Sequence, residues 1–298
     1  MKVLVNEPLS RHGFWRVGGP LDELVLVEAI DELPGLIAAE AWQVLGNGSN
    51  LLAPDEGLRG RTLRLGDAFR GLELLSDDGE QIEVGVGAGM LNAVLLRRLG
   101  RLGLAGAASL AGVPGTVGGA VVMNAGTTLG EIGDVVRWVD LCDRDGVRRV
   151  GRSELQVRYR EGGVPEGAVV VSVGLGLSRR GFQEEQERIV HHLARRKATQ
   201  PLDLPSCGSV FRNPPGSAAG RLIESVGLRG HRIGDAAISE RHANFIVNLG
   251  SARAIDVMRC IHLGYTTVLR ETGVRLEPEV RVLGRWPAEL WPLPAAGA

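Results

Sequence analysis

The sequence predicts an α+β chain of two domains, about 1–180 and 181–298, from three observations. Short β-rich runs separated by Gly-rich turns fill the first half, sustained helical periods dominate only after about Gly181, and 298 residues exceed what one core usually fills.

The β-rich runs are Glu23 to Val27, Trp42 to Leu45, Thr62 to Leu65, Gln81 to Val86, Val135 to Leu141 and Val169 to Leu177. Two helices interrupt them, Ala29 to Glu40 and Leu91 to Leu102; the second repeats Leu91, Val94, Leu95, Leu99 and Leu102 at helical spacing. Beyond the boundary near 179–183, helices are expected at Glu184 to Thr199, Ala218 to Val226 and Ser251 to Thr272, the last with Ser251 as N-cap and Gly273 past its end. A final strand, Val274 to Leu283, returns to a sheet, and the Pro-rich tail from Pro287 is expected to be irregular.

Composition narrows the function. Lys+Arg is 34 against Asp+Glu 35, so with a net charge of −1 no global basic field exists to hold nucleic acid or an anionic membrane. Lys occurs only at Lys2 and Lys197, every other cation side chain being Arg. Cys142, Cys207 and Cys260 lie far apart without C-x-x-C or His partners, which argues against a zinc site or a disulfide framework and fits a reducing cytoplasm. The apolar start is too short for a signal peptide and no run of 18 apolar residues follows, so a soluble cytoplasmic protein is expected, monomeric by default and without a metal.

Glycine placement points to a nucleotide cofactor, because a backbone approaches a diphosphate closely only where no Cβ intervenes. Gly46-Asn47-Gly48-Ser49-Asn50 follows a predicted strand, and Gly112-Val113-Pro114-Gly115-Thr116-Val117-Gly118-Gly119 is followed by Asn124-Ala125-Gly126. Taken alone, the first segment equally describes a tight turn. The second is flanked by Ala111 and by Ala120 to Met123, too apolar for a solvent loop. No G-x-G-x-x-G and no Walker A loop occurs, which excludes the two commonest phosphate-binding patterns.

The two segments resemble the FAD-binding domain of the vanillyl-alcohol-oxidase/PCMH flavoproteins. Further strings narrow the likeness: Phe14-Trp15-Arg16-Val17-Gly18-Gly19-Pro20, Gly208-Ser209-Val210-Phe211-Arg212-Asn213-Pro214, Ser239 to Asn248, and Glu279-Val280-Arg281. In this order, over about residues 9–284, they resemble the UDP-N-acetylenolpyruvoylglucosamine reductase family in its shorter subtype, there being only Tyr159 and Tyr265 to serve the tyrosine loop of the longer one. The resemblance implies a PCMH-type FAD-binding domain at 1–180, with subdomains of about 1–66 and 67–180, followed by a smaller α+β substrate-binding domain at 181–298. It implies noncovalent FAD on Gly46, Asn47, Gly48, Ser49, Asn50 and Leu51, and on Gly112, Pro114, Gly115, Thr116, Gly118, Gly119, Asn124, Ala125 and Gly126.

The activity so implied is reduction of UDP-N-acetylglucosamine enolpyruvate to UDP-N-acetylmuramate, with NADPH as co-substrate, in cell-wall precursor synthesis. Hydride addition at C3 of the enolpyruvyl group leaves negative charge at C2 and its carboxylate, so cationic groups and a proton donor are required. The resemblance assigns Ser209 as donor, Arg160 to the carboxylate, and Glu279 as acid or as a group orienting Ser209. From the residues alone, Ser209 reads first as a turn hydroxyl, Glu277 competes with Glu279, and Arg160 reads first as a solvated surface ion pair in an extended segment that puts Arg158 and Arg160 on one side; the resemblance reverses the first and third of these readings. Tyr159, Arg212, Asn213 and Arg229 are the implied substrate contacts, with Arg at 212 and 229 where lysine is frequent in the family. His242 and Asn244 read as structural, and Cys207 as a bystander. An oxidase of the same superfamily would keep the first domain and change the second; a binding protein that had lost catalysis would lack one of Ser209, Arg160 and Glu279.

Overall fold

A computed structural model describes residues 1–38 and 42–293. The chain forms two compact units: Met1–Leu4, Glu23–Asn47 and Gly60–Arg196 make the first, and Val5–Asp22, Gly48–Arg59 and Lys197–Ala298 the second. This differs from a single division near 180. Residues 5–22 and 48–59 join the second unit because Trp15, Val17 and Leu52 are buried in its core, among Val210, Phe211, Ile261 and Tyr265.

In the first unit, five antiparallel strands lie in the order Gly146–Gly151, Val136–Asp143, Val169–Ser178, Gln81–Gly87, Leu72–Asp77. Val169–Ser178 is buried on both faces and reads as a nearly continuous apolar run, as a central strand must. One face, through Val84, Val86, Val173 and Leu175, packs against Leu95 and Leu99 of the helix Asn92–Arg101 and Val117 and Val121 of the short helix Val117–Val122. Cys142, Val169 and Val171 belong instead to a core with Val25, Val27, Leu33 and Leu63. Trp42–Val44 pairs in parallel with Leu58–Leu65, setting Val44 opposite Leu63 at the entry to the first glycine segment.

Two predicted details are corrected here, and three strands that the sequence did not predict are present. The helix expected from Ala29 to Glu40 is a 3₁₀ turn, Ile30–Glu32, and one α segment, Leu33–Ile37; residues 39–41 lie outside the described residues. The strands Lys2–Pro8, Leu72–Asp77 and Gly146–Gly151 carry no buried alternating face, which is why their periodicity is silent. Residues 158–161 are not extended: Arg158 and Glu161 exchange backbone hydrogen bonds of 2.8 and 3.0 Å, and Arg160 takes the left-handed conformation at φ 60°. Arg158 therefore opens a tight turn and Arg160 sits at its centre, so the two do not line one side of a strand.

The second unit is organised by the helix Ala254–Thr272, whose Ala254, Val257, Met258, Ile261, Tyr265 and Val268 form one buried stripe. Its start is not capped by Ser251. Asp55 supplies the acceptors instead, its carboxylate taking the N–H of Ala254 (2.8 Å) and Ile255 (3.1 Å), and Gly273 closes the helix at φ 70°. A small antiparallel sheet, Arg232–Ile233, Ala236–Ile238 and Ile246–Asn248, packs on it. The expected last strand shrinks to Arg281–Val282, pairing in parallel with Leu51–Leu52 immediately after the first glycine segment. No helix among the described residues is long and apolar enough to cross a membrane. Residues 294–298 of the Pro-rich tail lie outside the described residues.

Candidate active site

Within the first unit the two glycine segments meet. A Cβ built on Gly46 would lie 3.0 Å from Thr116 Oγ1, and that hydroxyl also accepts the N–H of Gly119 at 3.2 Å. Among the described residues the N–H groups of Gly46, Asn47 and Gly48 donate to no protein acceptor, and Gly48 is buried at φ 65° with the His12 carbonyl where a side chain would start. Successive unspent amides on a loop without side-chain obstruction fit an anionic group such as the diphosphate of FAD. Gly112, Pro114 and Gly115 precede the helix Val117–Val122, which contains Gly118 and Gly119.

Asn124, at φ 41°, closes that segment: its Oδ1 accepts from Gly133 N (3.0 Å), and its Nδ2 donates to Arg158 O (2.9 Å) and Glu131 Oε2 (2.5 Å). Ala125 and Gly126 follow, and Arg160 Nη2 donates to the Gly126 carbonyl at 3.2 Å while its Nη1 lies 3.8 Å from Glu131 Oε1. The Arg160 guanidinium also stands 4.8 Å from the centre of the half-exposed Tyr159 ring. The end of the second glycine segment and the predicted carboxylate-binding arginine are thus one hydrogen-bonded assembly. Glu131 is its hub, and nothing in Gly130-Glu131-Ile132-Gly133 distinguishes that residue in the sequence.

Two further residues of this unit escaped the sequence reading. The helix Phe182–Thr199 lays Arg196 against the Gly112 carbonyl and His192 3.2 Å from Thr128. Burial, then the neighbouring Arg196 and Arg195, hold the His192 pKa below the usual histidine value, so the imidazole is neutral at pH 7.

The second unit carries Ser209 and Glu279. Ser209 bridges to Phe245, Val210 N donates to Asn244 O, Glu279 N donates to Val210 O at 2.7 Å, and Arg212 N donates to Glu277 O at 2.8 Å. The Ser209 segment is therefore held between 244–245 and 277–279. Asn50 Nδ2 donates to Glu279 O at 3.0 Å and Arg281 N to Asn50 O at 3.1 Å, so the first glycine loop, just before Leu51, is tied to the same backbone. Cys207 lies under that loop, its Sγ 3.7 Å from Gly48 O and 3.8 Å from Leu51 O; full burial pushes its pKa up to about 12, keeping it a thiol.

Asn244 is the clamp of this arrangement. Its Oδ1 accepts from Phe211 N (3.0 Å) and its Nδ2 donates to Phe211 O (2.8 Å), while His242 packs edge-on to Phe245 and burial lowers its pKa. The candidate substrate contacts are engaged within the protein: Asn213 Oδ1 accepts from Ala219 N at the start of the helix Ala219–Ser225, Arg212 lies 3.8 Å from Glu277, and Arg229 pairs with Glu224 at 2.8 Å.

Known proteins place this architecture. Residues 36–151 match the FAD binding domain family and residues 200–283 the C-terminal domain of UDP-N-acetylenolpyruvoylglucosamine reductase. The reductase of Heliobacterium modesticaldum is 44% identical over 94% of this chain and 90% of its own length, and that of Moorella thermoacetica 43% over 95% and 94%. The chain belongs to the UDP-N-acetylenolpyruvoylglucosamine reductase family. The crystal structure of the Thermus caldophilus reductase superposes with a TM-score of 0.81 at 40% identity, covering 96% of this chain and 98% of that one. The PCMH-type α+β fold expected of a reductase of this family is thereby confirmed.

Proposed function

We propose that the chain reduces UDP-N-acetylglucosamine enolpyruvate to UDP-N-acetylmuramate in the cytoplasm, as a monomer, with noncovalent FAD and with NADPH as the reductant. FAD, when bound by the glycine segments, would supply the hydride chemistry. Arg160 neutralises the substrate carboxylate and the charge that develops beside it, and Ser209 hands a proton to C2, so that the two hydrogens add across the double bond. Glu279 orients Ser209 or replenishes its proton. Gly46–Leu51, Thr116 and their neighbours hold the dinucleotide, and Tyr159, Arg212, Asn213 and Arg229 receive the UDP-sugar.

The observation that carries this reading is the hydrogen-bond network through the Asn50 side chain and the Glu279 and Val210 backbones. It joins the loop expected to bind the cofactor to the two segments expected to manage the proton. Three buried thiols suit a reducing compartment.

The test is an anaerobic titration followed in the visible spectrum. NADPH should bleach a yellow flavin band and the enolpyruvyl substrate should restore it without oxygen. Reoxidation by oxygen alone would favour an oxidase, and a chain that takes up no FAD would defeat the proposal at its first step. Ser209→Ala should still bleach with NADPH yet recover with substrate about 10²- to 10⁴-fold more slowly.

A further inference from the structure

Neither glycine segment contains a cation: residues 45–53 and 111–126 hold no Lys or Arg. Amides alone would have to meet a dinucleotide diphosphate there, and a dianion in a partly buried site calls for a charge partner. Arg196, which lies on the second segment, is committed to the Gly112 carbonyl.

The loop 9–19 of the second unit closes directly on Gly48. Phe14 N donates to Gly48 O at 2.9 Å, and the His12 carbonyl occupies the space where a Gly48 side chain would begin. Its basic residues are Arg11, His12 and Arg16. Arg11 and His12 both turn to Glu7, at 3.7 and 3.0 Å, whereas Arg16 is exposed and pairs with no acid among the described residues.

Arg16 is also held in a conformation that arginine avoids, φ 56°. The flanking residues enforce it. Trp15 and Val17 are both buried, Trp15 Nε1 donates to Ile246 O at 2.6 Å, Asn248 Nδ2 donates to Trp15 O at 2.9 Å, and Arg16 N donates to Gly13 O at 3.0 Å. A turn so thoroughly fixed would be relaxed by glycine. An arginine at this point, two residues beyond the Phe14 amide that bonds Gly48, points to a use for its charge.

We propose that Arg16 is the cation that meets the diphosphate of the bound dinucleotide at Gly48–Asn50. The inference rests on the FAD reading of the glycine loop and adds the residue that neutralises the ligand.

Apoprotein prepared by removing the flavin is titrated with FAD, followed by quenching of flavin fluorescence, for wild type, Arg16→Gln, Arg16→Lys and Arg16→Gly. Gln and Gly should weaken FAD binding about 10- to 100-fold, and Lys should recover part of the loss. The melting temperature of apo Arg16→Gly should equal or exceed that of the wild type, because glycine accepts φ 56° without strain. That separation excludes a merely structural role.

Unchanged FAD affinity in the Gln and Gly variants would overturn the assignment. So would a loss of affinity matched by an equal loss of apoprotein stability, or a raised KM for NADPH or for the UDP-sugar with FAD affinity intact, since these would place Arg16 at another diphosphate. A wild type that takes up no FAD defeats the proposed function itself, whereas wild-type uptake with unimpaired variants defeats only Arg16.

Discussion

Gly46 and Thr116 face one another across the first unit so closely that a single methyl group on Gly46 would stand 3.0 Å from the threonine oxygen. Thr116 is in turn fixed by the N–H of Gly119, so the contact joins two segments 70 residues apart in the sequence. The narrowness of this approach sets the first expectation.

Gly46→Ala should leave the fold intact, at a cost of about 1–3 kcal/mol for the crowded methyl group, and weaken FAD binding. Thr116→Ala should restore part of the affinity to the double variant by vacating the hydroxyl. Flavin titration of the two single variants and the double variant measures the coupling; strict additivity would mean that the contact has no part in binding.

Arg160 adopts φ 60° and is positioned by Gly126 and Glu131. Arg160→Gly should lower kcat about 10²- to 10³-fold while the melting temperature holds or rises, since the charge is lost and the strain with it. Glu131→Gln should act more mildly, raising KM for the enolpyruvyl substrate, because the amide keeps the Asn124 contact but loses the ionic hold on the arginine. Steady-state kinetics beside a thermal melt separates the two.

Asn244 satisfies both backbone groups of Phe211 from a buried position, so Asn244→Ala strands a buried N–H and a buried carbonyl together. A loss of about 2–4 kcal/mol is expected, seen as a lower denaturant midpoint with an unchanged m-value.

Asp140 gives a pH signature. Burial alone would raise its pKa, but hydrogen bonds from Arg149 (2.8 and 2.9 Å) and Ser172 (2.6 Å) outweigh that and bring it below the ordinary 3.8. A depressed folded pKa contributes stability that is complete above the unfolded value and disappears as pH falls through the folded one. Asp140→Asn should therefore melt about 2–4 °C below wild type at pH 6–7, with the gap closing below pH 3.8.

Cys142, Cys207 and Cys260 are all buried, and burial pushes Cys207 and Cys260 to about 12. A thiol reagent should find none of the three in the native protein and all of them in denaturant. Prompt native labelling of Cys207 would show the loop above it opening.

Most of the buried strands and long helices were legible, because Gln81–Gly87 and Ala254–Thr272 bury one face at a regular period. The edge strands were not, since Leu72–Asp77 faces solvent along nearly its whole length and solvent imposes no alternation. The turn at 158–161 was misread as extended because its left-handed residue is an arginine, and no Gly or Asn marks the position in the sequence. Ser251 looked like the cap of the last helix only because the true acceptor, Asp55, is nearly 200 positions away in the chain. Local rules cannot reach such partners. The motif residues themselves were found by their resemblance to a family; Glu131, Arg196 and Asn50's hold on Glu279 belong to packing and became visible only in three dimensions.

The indole of Trp15 donates to Ile246, a partner 231 positions further along the chain. During synthesis that tryptophan leaves the ribosome with nothing to cover it, and at roughly 5–20 residues per second the wait lasts on the order of ten seconds or more. The N-terminal loop is thus the first part of the second unit to be made and among the last to find shelter. A truncated product ending before residue 246 would expose an aromatic side chain that the complete protein hides, a mark by which quality-control machinery could tell an unfinished chain from a finished one.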